Sequence, residues 1–426
     1  MQTASKKVIN GWAMYDWANS SYSLIIVSAI FPAYYTFIAP EKVNFIGRTF
    51  DRASLASYSI AFSFLIIAIL SPILSSIADY KGNKKAFMQF FCYLGSTACI
   101  ALTFLTAENI SYGIICSILG SIGFCGSIVF YNAHLPEIAA EEDQDKVSAK
   151  GFAMGYVGSV ILMIICLAAI MLNDSLHWGW GTWPTRLSFL AVGLWWAGFA
   201  QIAFKNLPPS SPAKQHPDRS IFINGFYELK KVWKELSNYP VTKRFLRSFF
   251  FYNMGVQTVM YLATYFASEE IKMETSQLII TILIIQVVAI GGALLFSRIS
   301  KRLGNIFTLG IIILIWIGVC IGAYFVHTVS QFYVLAFTVG MVMGGIQSMS
   351  RSTYSKLLPP TKDTASYFSF YDVCDKIGTV IGTLSFGYVS EFFGGMRNSV
   401  LALMSFFIIG GILLLFVDPG KRTAVA

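Results

Sequence analysis

Charge is scarce in this chain. Of 426 residues only 12% are Asp, Glu, Lys or Arg, against 55% hydrophobic ones. A soluble fold of this length cannot cover its surface with so few charges. That excludes the two or three soluble domains that length alone predicts. Ligand patterning is missing too. The seven cysteines (92, 99, 116, 125, 166, 320 and 374) form no CxxC pair and all lie in apolar segments. They read as small buried thiols rather than a disulfide framework. Four scattered histidines and no HExxH leave no metal site expected. The absence of GxxxxGK[ST] excludes ATP-driven pumping by this chain. No nucleophile, carboxylate pair or metal cluster stands at a spacing that a membrane-embedded enzyme needs, so a non-enzyme is expected.

Hydrophobic length is what the chain has, with a mean hydropathy of +0.62. A helix needs about 20 apolar residues to cross a bilayer. That ruler gives twelve spans: 11–38, 53–77, 86–106, 110–133, 149–172, 185–205, 245–268, 275–297, 304–327, 330–355, 364–390 and 395–417. The first is too long for a signal-peptide core and is expected to stay in the mature protein. One long polar stretch, 206–244, divides the spans six plus six. It opens Pro-rich, and FYELKKVWKEL within it has the spacing of a short amphipathic surface helix. The expected fold is an all-α polytopic membrane protein of twelve transmembrane helices in two pseudo-symmetric six-helix bundles. Its divisions are 1–205, the linker 206–244, and 245–426.

The net charge of +9 matters through its placement and signals no nucleic-acid partner. With both termini on one side, that side carries 22 of the 31 Lys and Arg residues; the other side carries six. This bias predicts cytoplasmic termini. Short loops predict a bacterial inner membrane, so the sequons at Asn109 and Asn173 read as chance matches. Trp178, Trp180 and Trp183 read as an aromatic belt on the outer side.

The halves echo each other. Gly82, in the turn Asp79-Tyr-Lys-Gly-Asn-Lys-Lys85, lies 222 residues before Gly304 in Lys-Arg-Leu-Gly-Asn. Leu135-Pro136 lies 223 before Leu358-Pro359. Such duplication is the architecture of alternating-access transporters. Twelve helices, a long central loop and this basic turn (Asp79, Gly82, Lys84, Lys85) resemble the major facilitator superfamily, in which the turn serves gating. The chain departs from that superfamily's loop at Ser75 and Tyr80.

Six stretches are similar to its vacuole-effluxer-like branch of amino-acid exporter relatives. They begin Tyr15-Asp-Trp-Ala-Asn-Ser20, Tyr131-Asn-Ala-His-Leu-Pro-Glu137, Val147-Ser-Ala-Lys150, Phe251-Tyr-Asn253, Gly344-Gly-Ile-Gln347 (running on to Arg351) and Phe370-Tyr371-Asp372 (running on to Lys376). Met254 stands where family members often carry an acid. The resemblance implies transport more firmly than it implies a substrate.

Ionisable residues inside spans are functional by default, because hydrocarbon tolerates them only with a partner or water. Asp16, Glu137, Lys150, Arg247, Arg351, Asp372, Asp375 and Lys376 all count toward the cytoplasmic ends of their helices, the last three in the first turns of helix 11. They are expected to form an inner gate. Asp372 and Lys376, four apart, can pair, leaving Asp375 for Arg351. Asp16 has three open readings: a gate partner to a base on helix 5 or 11, a proton carrier, or an interfacial charge.

Mid-depth polar side chains are neutral in this count. Tyr15, Asn19 and Tyr22 share one face of helix 1, and Asn253, Gln257, Tyr261, Gln286, Gln347 and Tyr371 complete a candidate substrate path. Such amides also stitch helices together. A neutral path predicts a neutral, zwitterionic or amphipathic solute. The expected partners are therefore a small-molecule substrate and the bilayer, with the chain monomeric and no cofactor beyond a proton or other coupling ion. The expected function is secondary active transport of a small organic solute, amino acids or related metabolites among them. Export of lipid-like or drug-like compounds is the alternative.

Overall fold

The computed structural model describes residues 2–176, 179–209, 221–392 and 395–418. Linker residues 210–220 with Lys214 and Arg219, Trp178, and the basic residues Lys421 and Arg422 lie outside the described residues. Twelve long helices are present among the described residues, here numbered as spans. Spans 1 to 6 are Lys6–Ile38, Arg52–Lys81, Lys84–Leu102, Ile110–Ala133, Gln144–Leu176 and Trp183–Asn206. Spans 7 to 12 are Pro240–Glu270, Thr275–Leu303, Asn305–Phe325, Val329–Lys356, Thr364–Phe392 and Met396–Leu415. A linker helix, Ile221–Asn238, precedes span 7.

Ten of the twelve are apolar enough to cross a membrane on composition alone. Spans 7 and 11 fall short through composition, not length: uncharged polar residues such as Asn253 and Gln257 lower the hydropathy of span 7, and Asp372, Asp375 and Lys376 that of span 11. At 31 and 29 residues they run about 46 and 43 Å. Several helices outrun their predicted ends, span 5 starting at Gln144 where the sequence put 149. The apolar ruler counts only hydrocarbon, whereas a helix continues into the headgroup layer until a cap stops it. Gly82 is such a stop. It closes span 2 at φ +66°, and its N–H reaches Ala78 O and Asp79 O, a conformation that costs any residue with a Cβ.

A hairpin that hydropathy did not show joins spans 1 and 2. Strands β1 (Lys42–Phe45) and β2 (Arg48–Asp51) pair around Ile46 and Gly47, both at positive φ, as tight two-residue hairpin turns require. Asp51 then caps span 2, accepting the N–H groups of Ala53 and Ser54. Span 1 is also not uniform, widening to π geometry over Tyr22–Ala29.

Packing repeats between the halves. Spans 1·5, 1·6, 3·4, 3·6 and 2·4 pack in the first, and 7·11, 7·12, 9·10, 9·12 and 8·10 in the second. Each pair in the first list becomes its partner in the second on adding six. The halves meet where span 2 packs on span 11 and span 5 on span 8, with 4·11 and 5·10 alongside. Close backbone approach at glycine permits the tightest crossings. A Cβ at Gly292 would strike Met341 O, and one at Gly344 would strike Ala289 O. The described ends, residues 2 and 418, and the described parts of the even-numbered connections lie at one end of the molecule, called the terminal side below.

Candidate functional site

The halves are joined on the terminal side by three buried charge clusters. The first sits at the turn after span 2. Lys84 is fully buried. Its ammonium contacts Asp79 Oδ1 at 3.1 Å, Thr364 Oγ1 at 2.6 Å, the Lys362 carbonyl at 3.1 Å, and Glu137. Asp79 in turn accepts the backbone N–H of Ser366 at 2.7 Å and of Ala365 at 3.3 Å, plus the Ser366 hydroxyl at 2.7 Å. Those are first-turn donors of span 11 with no intrahelical partner. A carboxylate from the first half therefore caps a helix of the second, where the helix dipole favours negative charge.

The second cluster is the pseudo-symmetric counterpart, with the acid moved onto the helix start. Asp145, in the first turn of span 5, accepts from Lys356 at 2.7 Å, Ser300 at 2.8 Å and Asn305 at 2.7 Å, all in the second half. The third cluster lies between them. Arg351 of span 10 donates Nε to Ser148 Oγ at 2.9 Å and Nη2 to the Ser148 carbonyl at 2.8 Å. Its Nη1 reaches Asp16 Oδ2 at 3.2 Å and Asn132 Oδ1 at 3.3 Å. Its guanidinium lies 4.1 Å from the Phe152 ring and 4.8 Å from that of Trp12. Tyr131 completes the site by donating to Asp16 Oδ2 at 2.7 Å. Arg suits this role, since its planar fork keeps its charge while bonding and stacking at once.

Deeper along span 11 is a fourth charge cluster. Asp375 receives Lys376 on Oδ2 at 2.5 Å, and Asn253 and Gln257 on Oδ1 at 2.7 and 2.6 Å. Asp372 Oδ1 stands 3.6 Å from Lys376. The Lys376 ammonium also lies 5.3 Å from the Phe64 ring of span 2, which itself meets Tyr261. Higher in the interface the Tyr156 hydroxyl donates to Gln347 Oε1 at 2.6 Å.

Several expectations need correcting. Asp372, Asp375 and Lys376 are not at the mouth of helix 11; they are its ninth to thirteenth residues of 29, about 12 to 18 Å in. The middle of the protein is therefore charged, not neutral. Asp375 pairs with Lys376 instead of Arg351, which is taken by Asp16. Lys150 leaves the network, donating to Asn10 at an exposed position of the first half. Arg247 is exposed on the outside of the second half, beside Arg244, Leu413 and Phe416. Lys85 donates to the Leu207 carbonyl within the first half.

Helix 1 turns its Tyr15 and Tyr22 into its own bundle instead of onto a central path. Tyr15 packs on Tyr131 and Phe204, and Tyr22 on Phe124 and Trp196 with a hydrogen bond to Ser121. Asn19 is buried with its Nδ2 unpartnered. Tyr371 stacks between Phe249 and Tyr354 in the second half. Gln286 is half-buried with an unpartnered Oε1.

Asp145, Lys356, Ser148 and Ser366 went unseen in the sequence. The repeat held a signal for them, because the offset of 222 pairs the Asn83 turn with Asn305, and the start of span 11 with that of span 5. Groups of three or more His, Cys, Asp or Glu suited to a metal are absent among the described residues.

The sequence profile described as "Vacuole effluxer Atg22 like" matches residues 4–425. The chain is 33% identical to the MFS-type transporter YxiO of Bacillus subtilis (strain 168) over 98% of this chain and 96% of that one. It is 24% identical to autophagy-related protein 22-1 of Penicillium rubens, over 90% and 78%. In fold it resembles FucP, a major facilitator transporter solved in the outward conformation (TM-score 0.69, 17% identity, 97% and 98% covered). It also resembles the proton:xylose symporter XylE (TM-score 0.70, 12% identity, 98% and 97% covered). Twelve spans in two repeated halves, sealed on one side by charges that cross between them, thus agree with the matched relatives: the chain is an integral-membrane transporter, not an enzyme, and belongs to the vacuole effluxer Atg22-like family of the major facilitator superfamily.

Proposed function

We propose that this transporter moves a small organic solute, amino acids and related metabolites foremost, by alternating access, with a proton as coupling ion. One observation carries the reading: three buried clusters join the halves on the terminal side, each built from separable ion pairs and hydrogen bonds. Such contacts can break and re-form as units. The basic bias supports a cytoplasmic terminal side, and the short loops support a bacterial inner membrane; in that orientation the sealed state faces outward. Both halves sit on one chain, and a monomer suffices. The matched family's description as effluxers supports export of small molecules. Charge at mid-depth favours a polar or zwitterionic solute over a lipid.

The test is a thermal-shift screen of the purified protein against amino acids, peptides, sugars and lysolipids, followed by flux in proteoliposomes. A bound ligand raises apparent stability, by about 2.7 kcal/mol at a hundredfold excess over Kd. Amino acids are expected to stabilise, and their flux to collapse with a protonophore. Stabilisation by lysolipids alone, or flux indifferent to the pH gradient, would overturn the corresponding part.

A further inference from the structure

The buried acids of the terminal side hold firm partners: Asp79 has four donors, Asp145 three, and Asp16 takes both Arg351 and Tyr131 on Oδ2. Asp372 is different. It is 5% exposed, its Oδ2 has no hydrogen-bond partner, and its Oδ1 stands 3.6 Å from Lys376, beyond hydrogen-bond length. Its neighbour Asp375 is saturated by Lys376, Asn253 and Gln257. Two carboxylates thus share one ammonium, and that ammonium is committed to Asp375.

Among the described residues, the elements packed on span 11 bring no second cation to Asp372. Span 2 presents Phe64. Span 4 presents the Cys125 thiol beside Lys376. Span 7 presents the two amides and the Tyr261 phenol. Span 12 holds one charge, Arg397, paired with Glu270 near the other end. The linker helix meets span 11 near its start, with Trp233 on Phe370, Glu235 on Tyr367, and Lys231 on Asp363 just before it. A mid-depth carboxylate with no hydrogen bond, and only a long ion pair to an ammonium that a second acid holds, is costly, and a single proton balances it.

We propose that Asp372 is the proton-binding residue of this transporter, loaded while Lys376 rests on Asp375 and unloaded when Lys376 turns to it. Loading adds one proton to the free Oδ2 and leaves a neutral acid beside a closed Asp375–Lys376 pair. Release returns that proton to water and restores the carboxylate, which Lys376 reaches from one helical turn away on the same face. Asp375 keeps its two amide hydrogen bonds throughout, which makes the exchange of partners cheap. This inference rests on the proton-coupled reading above and places the coupling proton on Asp372 rather than Asp16, whose carboxylate is locked by Arg351.

Infrared pH-difference spectroscopy of the full-length protein in lipid tests it without any substrate. The expected result is a protonated-carboxyl C=O band that shifts in position in Asp372→Glu, disappears in Asp372→Asn, and keeps its position in Asp375→Glu and Asp16→Asn. A band retained by Asp372→Asn, shifted by Asp375→Glu, or missing from the unaltered protein overturns the proposal. The two Glu variants keep the charge count and guard against misfolding of Asp372→Asn. Counterflow of radiolabelled amino acids in the same liposomes is scored separately. Absent flux with the band assignment intact refutes the solute reading alone, and flux with a misassigned band refutes the proton site alone.

Discussion

Arg351 offers the sharpest perturbation. It is 3% exposed, makes four hydrogen bonds to the first half, and is the sole cation contacting Asp16 among the described residues. Arg351→Met keeps much of the stem that packs near Phe152 and Trp12 but leaves Asp16 buried with Tyr131 alone. Breaking one partner of a buried pair costs about 3–5 kcal/mol. That charge regains water only if the halves part on the terminal side. At about 1.4 kcal/mol per decade, the sealed state should lose about a hundredfold to a few thousandfold in population relative to the open one.

Spin labels on Lys81→Cys and Lys301→Cys, exposed positions on the two halves of the terminal side, read this out as a pulsed-EPR distance distribution. The native cysteines are buried, apart from the half-buried Cys374. Arg351→Met should shift the distribution to longer distances. Asp16→Asn removes the stranded charge, so the double variant should recover part of the shift, with a coupling of about 0.5–3 kcal/mol. An unchanged distribution in Arg351→Met, or a double variant equal to the sum of the singles, would refute the reasoning.

Three further outcomes follow from the same geometry. Lys84→Met strands Asp79 and Glu137; Asp79 keeps its Ser366 and Ala365 donors and Glu137 reaches water, so the same label pair should show a shift at or below the lower end of about 3–5 kcal/mol. Gly82→Ala forces a Cβ into the left-handed region at φ +66° and should lower thermal stability by about 1–2 kcal/mol, with no change in the label distances. Arg247→Ala should leave both label distance and flux unchanged, because the side chain lies outside the interface; a loss of flux would place Arg247 back in the machinery.

The sequence read spans and repeats well, for a physical reason. In hydrocarbon every backbone polar group must bond within its own helix, so twelve apolar runs leave little choice of element. The 222-residue echo of Gly82 and Gly304 likewise carried the pseudo-symmetric packing, since duplicated sequence folds into duplicated contacts. Depth was harder to read. The predicted start of span 11, residue 364, is the observed one, yet the sequence reading puts Asp372 and Lys376 in its first turns; as its ninth and thirteenth residues they lie about 12 to 18 Å in, at about 1.5 Å per residue. The hairpin at Lys42–Asp51 was invisible to hydropathy, being held by turn geometry rather than by periodicity.

Facing was harder still. Tyr15, Asn19 and Tyr22 do share a helical stripe, as periodicity says, but periodicity names a face without naming what it meets. Only packing turned Tyr15 and Tyr22 into the first bundle and Arg351 toward Asp16, 335 residues away in sequence. By itself the sequence determined that this chain crosses a membrane twelve times in two like halves, because burial in lipid is a local, per-residue cost. Which acid each base neutralises, and which mid-depth carboxylate is left without a hydrogen bond, only the tertiary structure decided, because that depends on how the helices meet in space.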